Sequence, residues 1–203
     1  MNREFFVPGL VAIALAVLFP LYWFSAAFSG SDLSLIEVFR ADAMRLSARD
    51  ALFVLIGAME IYLYLSLRHM LRQYLQGGLP AVLAALMAVL IGLLTASVLF
   101  DVFLALGPEL SETMEDQLVL AAGFMWLGAS LLIGLVGLIL AISLLFSSSG
   151  SGVLPKLFAL FLLISSVLTL TVILSPIAVM VYPLALLLLG AWFLRGEHEV
   201  EVV

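Results

Sequence analysis

The chain has 203 residues, of which 65% are hydrophobic and 11% charged, with a formal net charge of −6. Soluble domains are about half apolar and about a quarter charged, and a chain this short cannot hide so much apolar surface inside itself, so its main solvent is a bilayer. The acidic balance argues against a nucleic-acid partner, which calls for a basic stripe, and against a polybasic headgroup reader. The absence of cysteine excludes disulfides, thiol catalysis and Cys-held zinc or iron–sulfur centres.

A spanning helix needs about 20 apolar residues, because about 30 Å of hydrocarbon is crossed at 1.5 Å per residue. The first predicted span is Phe5–Phe28, with Pro8 at its start and Pro20 inside. Its apolar run is about twice the core of a secretory signal, and Glu4 cancels Arg3 in the leading segment, so it is read as a span rather than a cleaved leader.

The segment "SDLSLIEVFRADAMRLSARD" follows. Leu33, Ile36, Phe39, Ala43 and Leu46 recur at helical spacing, which predicts a short amphipathic helix between the first two spans. Ser31 or Asp32 is placed to cap it, and Ser47 to cap the next helix. Such a helix lies on the membrane surface, rests against a partner, or simply covers the ends of the spans.

The second span is Ala51–Tyr74, which carries Glu60 near its middle. A charge at mid-bilayer costs about 2.5–3.5 kcal/mol on insertion scales, so it rarely faces lipid. Gly57, Glu60, Tyr64, Leu67, Arg68 and Leu71 share one side of that helix. Tyr64 is close enough to donate to the carboxyl group, whereas Arg68 lies about 12 Å along the axis and snorkels to the interface. Glu60 therefore needs a partner from another helix or carries its proton. It reads either as a proton or cation site or as a hydrogen bond between helices.

The third span, Leu79–Leu106, opens with "GGLP", a chain breaker followed by proline at a favoured helix start. Thr95, Ser97 and Asp101 give it a polar track, and Asp101 is the second candidate acid. The loop "GPELSETMEDQ" holds Glu109, Glu112, Glu115 and Asp116 without the spacing of an EF-hand. Glu112 and Glu115 read instead as the first turn of the fourth helix, with Ser111 as cap. The fourth span is Leu118–Phe146, and it ends at the polar linker "SSSGSG". Gly123, Ser130, Gly134 and Gly137 run through it as a candidate helix-packing face, and Ser165 and Thr169 repeat the small-residue spacing in the fifth.

The block Val153–Leu194 would reach roughly 60 Å as one helix, twice what the bilayer needs. "LSPI" at 174–177 is the predicted break, because the residue before proline avoids the helical region. Spans at Leu154–Leu174 and Ile177–Leu194 result. The expected fold is all-α: a single transmembrane domain over residues 1–195, a bundle of six helices, followed by an acidic tail at 196–203. Pro183 keeps open the alternative of five spans and a re-entrant segment.

With the N-terminus inside, the cytoplasmic side collects Arg3, Arg68, Arg72, Lys156 and Arg195, against Arg40, Arg45 and Arg49 outside. That bias predicts both termini in the cytoplasm. Seven of the eight basic residues are Arg, which hints at a bacterial inner membrane. No motif for catalysis, phosphate binding or dinucleotide binding occurs. The one base within reach of a hydroxyl nucleophile is His69, near Ser66 at a helix end, and His198 sits in the acidic tail. The expectation is a non-catalytic membrane protein without cofactor or metal, a subunit or assembly component. It would partner the lipid bilayer and either its own copies or another membrane protein. A small transporter or channel using Glu60 is the rival.

Overall fold

The structure, a computed structural model, describes residues 3–27, 46–74, 78–106, 111–147 and 152–195. The predicted amphipathic helix and the acidic tail lie outside the described residues. After a 3-10 turn at Arg3–Phe5 the helices are α1 (Phe6–Ala27), α2 (Ala48–Tyr74), α3 (Leu79–Thr95), α4 (Val98–Leu106), α5 (Glu112–Phe146), α6 (Val153–Leu170) and α7 (Ser175–Arg195). The described residues hold six helical stretches long and apolar enough to cross a membrane, α3 and α4 counting as one.

Local chemistry sets the helix ends. Ser47 takes the N-cap position of α2: its hydroxyl accepts from the Arg49 amide at 3.2 Å, and its own amide donates to Asp50 Oδ2 at 2.7 Å. This is the reciprocal capping pattern that satisfies two otherwise orphaned donors. Ser111 takes the same position before α5, but its hydroxyl makes no capping bond. Its carbonyl accepts from Met114 and Glu115 instead. The chain turns between α6 and α7 at residues 171–174, where Val172 has φ 54°, and α7 then runs unbroken through Pro183.

The expected third span is two helices rather than one. The helical ladder breaks at Ala96–Ser97, where Thr95 also turns its hydroxyl back onto the Ile91 carbonyl at 2.8 Å. Such back-bonding competes with the helix ladder and bends helices. α5 begins at Glu112, where the acids of its first turn are expected to favour a helix N-terminus, six residues before the apolar span that starts at Leu118.

Each long helix packs against its neighbours in the order α1, α2, α3, α5, α6, α7, and α7 packs back on α1, so the six close into a ring. Tyr64, Leu15, Leu67, Leu140, Phe158 and Leu189 are among the fully buried side chains, drawn from five of those helices. Between lipid-facing helices packing depends on close approach rather than on expulsion of water. The glycines supply it. A Cβ on Gly190 of α7 would stand 3.0 Å from the Gly9 carbonyl oxygen of α1, and one on Gly137 of α5 would stand 2.6 Å from Ser166 Oγ of α6.

Aromatic contacts mark two levels along the ring. At one end Phe5 stacks on Phe193 at 5.9 Å and lies 6.1 Å from His69. At the other, Trp23 meets Trp126 at 6.4 Å, Tyr22 stacks on Phe53 at 5.8 Å, and the Arg49 guanidinium lies 5.1 Å from the Tyr22 ring. From Phe5 to Trp23 the helical rise is about 27 Å, close to one hydrocarbon thickness. Trp192 instead sits inside, 6.2 Å from Phe158. Residues 112–125 of α5 extend past the Trp126 level by about 21 Å. Next to them α4 buries none of its side chains, and Leu99, Phe103, Leu106, Leu120 and Phe124 are exposed.

Candidate functional site

Glu60 comes from the middle of α2, three turns in from the Ser47 cap, and is buried at 9% exposure. Tyr182 of α7 lies beside it, its hydroxyl close enough to interact with the carboxyl group. Tyr64, one turn after Glu60, is buried at 1% exposure, and its hydroxyl lies 3.3 Å from the Tyr182 hydroxyl. The three oxygens thus form a short polar chain with Tyr182 at its centre. Phe19 of α1 closes one side, its ring edge-on to Tyr182 at 5.1 Å. The cluster is held from three helices, α1, α2 and α7, within a core that also buries Leu15, Leu63 and Leu67.

A carboxyl group in apolar surroundings is tolerable only with hydrogen-bond partners. Tyr182 supplies a donor without introducing a charge. Chemically the arrangement can hold two helices in register, and its hydroxyls can pass a proton along the chain. Sequence reasoning expected Tyr64 as the local donor and left the inter-helix partner open. The signal for Tyr182 was a tyrosine in mid-span, directly before Pro183, rather than at a helix end where tyrosines favour the interface.

Asp101 lies elsewhere. It belongs to α4, beyond the Ala96–Ser97 break, and is half-buried. The contact between Gly57 and the Thr95 side chain aligns α2 with α3. From there Glu60 runs one way and Asp101 the other, which separates them by about 13 Å along the axis. The Thr95–Ser97–Asp101 track is interrupted by the break and does not lead to Glu60.

The small-residue face of α5 divides. Gly134 lies against Thr169 and Leu170 of α6, and Gly137 against Ser166, whereas Gly123 has no atom within 4 Å of where a Cβ would be. Ser130 is half-buried between them. Gly9 and Gly190, which close the ring, were not singled out from the sequence.

His69 lies at the opposite end of α2 from the cap. Its Nε2 is 2.8 Å from Glu4 Oε1 and 2.9 Å from the Gln73 amide nitrogen. Ser66 donates to the Tyr62 carbonyl at 2.8 Å. His69 and Ser66 are thus each engaged, and not with one another.

No protein-family model matches the chain, and no curated protein or solved structure does either. The functional reading therefore stands on the residues themselves.

Proposed function

We propose that the chain is a non-catalytic integral membrane protein, a subunit or assembly component of a membrane complex, and that Glu60 serves as an inter-helix hydrogen bond within it. The observation that carries this reading is the engagement of Glu60 with Tyr182 inside the ring, backed by Tyr64 and walled by Phe19. A carboxyl group so held joins α2 to α7 across α1. The apolar α4 and the start of α5, extending beyond the Trp23–Trp126 level with Leu99, Phe103, Leu106 and Phe124 exposed, give the ring a surface for another membrane protein or a second copy.

In this reading the chain crosses a bacterial inner membrane six times. The basic residues favour both ends in the cytoplasm: Arg3, Arg68, Arg72, Lys156 and Arg195 fall at the Phe5–His69 end, and Arg49 at the other. The experiment is purification in mild detergent followed by native mass spectrometry, with and without Glu60→Gln. A defined oligomer or a stoichiometric partner that survives Glu60→Gln is expected. A lone monomer that carries protons or cations into proteoliposomes, with flux abolished by Glu60→Gln, would replace this reading with the transporter.

A further inference from the structure

The Phe5–His69 end of the ring carries a feature that neither the fold nor the Glu60 cluster uses. A groove of about 240 Å³ runs between α1 and α2, lined by Glu4, Phe5, Pro8, Tyr62, Leu65, Ser66 and His69. A second hollow of about 230 Å³ adjoins it, sharing Leu65 and His69 and adding Arg68 and Arg72. The two adjoin along Leu65 and His69, which line both, and are taken together as one depression. Its outer part is cationic, and its inner part leads down α2 over Leu65 to Tyr62, about 9 Å deeper into the hydrocarbon than Arg68.

The charges in it are unequally committed. Among the described residues His69 Nε2 lies 2.8 Å from Glu4 Oε1, and neither Arg68 nor Arg72 takes part in an ion pair. Glu4 is thus occupied by the imidazole, on the α1 side of the groove. Arg68 and Arg72 are one helical turn apart, so their guanidinium groups reach a common point beside α2. Two such groups match the oxygens of a phosphate, which each can bind through two parallel N–H bonds. Leu65 and Tyr62, both exposed at more than 40%, offer an apolar track directly below. A cationic hollow at the interface that opens onto an apolar groove fits a molecule with a phosphate at one end and a hydrocarbon chain at the other.

We propose that this depression binds one anionic phospholipid, its phosphate on Arg68 and Arg72 and an acyl chain along Leu65 and Tyr62. Such a site needs no polybasic surface; two unpaired arginines beside a groove suffice, and the net charge of −6 resides elsewhere. The lipid fills the notch between α1 and α2 on the outer face of the ring, where Tyr62 and Leu65 are exposed.

The test uses the full chain in detergent, loaded with phosphatidylglycerol or phosphatidylcholine and read by native mass spectrometry. One phosphatidylglycerol per chain is expected to be retained in preference to phosphatidylcholine, with at least about tenfold weaker retention in Arg68→Gln/Arg72→Gln. Arg68→Lys/Arg72→Lys keeps the charge and is expected to fall between. Lys156→Gln removes a cation from the same end of the ring without touching the groove and is expected to bind like the wild type. Equal loss in Lys156→Gln would show diffuse attraction rather than a site and overturn the proposal. So would equal retention of both lipids, or displacement of the lipid by millimolar inorganic phosphate, which would mark a site for free phosphate. If the double glutamine variant fails to fold, the lysine variant and the lipid comparison still decide.

Discussion

Gly9 and Gly190 face one another where α1 meets α7, with the Gly9 carbonyl oxygen 3.0 Å from where a Gly190 Cβ would stand. This is the seam at which the first and last helices close the ring. A side chain here would part the two backbones, and with them the Phe5–Phe193 stack one turn further on.

Substituting Gly190→Leu is therefore expected to destabilise the protein by about 1–3 kcal/mol, the usual cost of overpacking a tight contact. Gly123→Ala is the contrast, because nothing stands within 4 Å of the new methyl group. It is expected to leave stability unchanged or raise it by up to about 1 kcal/mol, since alanine loses less backbone freedom in a helix than glycine. Thermal unfolding of the two variants in the same detergent makes the comparison, and equal losses would contradict it.

Tyr182 is the hydroxyl from another helix that lies beside Glu60. Tyr182→Phe removes it while leaving the ring packed on Phe19. A buried acceptor that loses its donor costs about 1–3 kcal/mol. Glu60→Gln keeps an acceptor oxygen for Tyr182 and is expected to cost less. A double-mutant cycle should show the two positions coupled; strict additivity would mean that the hydrogen bond contributes nothing.

The crossing of α2 and α3 depends on Gly57, whose added Cβ would fall on the Thr95 side chain. Gly57→Ala is expected to lower the midpoint of thermal unfolding, and Thr95→Ala in the same chain to recover part of the loss. Failure of any recovery would place the damage elsewhere. The second substitution also removes the hydroxyl that bonds back to Ile91, so Thr95→Ala alone serves as the reference.

Val172 holds φ 54° in the turn between α6 and α7. The left-handed region costs an ordinary residue about 1–2 kcal/mol and a β-branched one no less. Glycine is the usual occupant just past a helix end. Val172→Gly is expected to stabilise the protein by up to about 1 kcal/mol, after the entropy that glycine itself loses on folding. A fall in unfolding temperature would show that the Val172 side chain contributes more than its backbone costs.

The helices were legible where composition alone decides. Apolar runs of spanning length, the proline at 176 and the capping residue Ser47 each act within a few residues of chain, whereas Ser111 takes the N-cap position without a capping bond from its hydroxyl. The break at Ala96–Ser97 was not legible, since the apolar run continues through it and neither residue prevents a helix. Nor was Tyr182 as the partner of Glu60. A carboxyl group in mid-span announces that it needs a partner, but which helix supplies it depends on packing order, and a ring of six similar helices has many orders with the same periodicity. Gly134 and Gly137 stood out as part of a spaced row in one helix. Gly9 and Gly190 form no row; their meaning appears only when two helices far apart in sequence are set side by side.

The two aromatic levels have a consequence for the surrounding lipid. Along α1 the distance from Phe5 to Trp23 corresponds to about 27 Å of rise, a thin bilayer. Across the ring, apolar side chains continue past Trp126 to Phe124 and Leu120, and along α4 to Leu106. A bilayer of one thickness cannot match both sides. In a bilayer, lipids beside α1 and α2 would meet a shorter apolar face than those beside α4 and α5, which would slope the membrane around the protein. Mismatch of this kind costs fractions of a kcal/mol per ångström. It is relieved when two steep sides meet, which gives the α4–α5 side a reason to gather neighbours that does not depend on any specific contact.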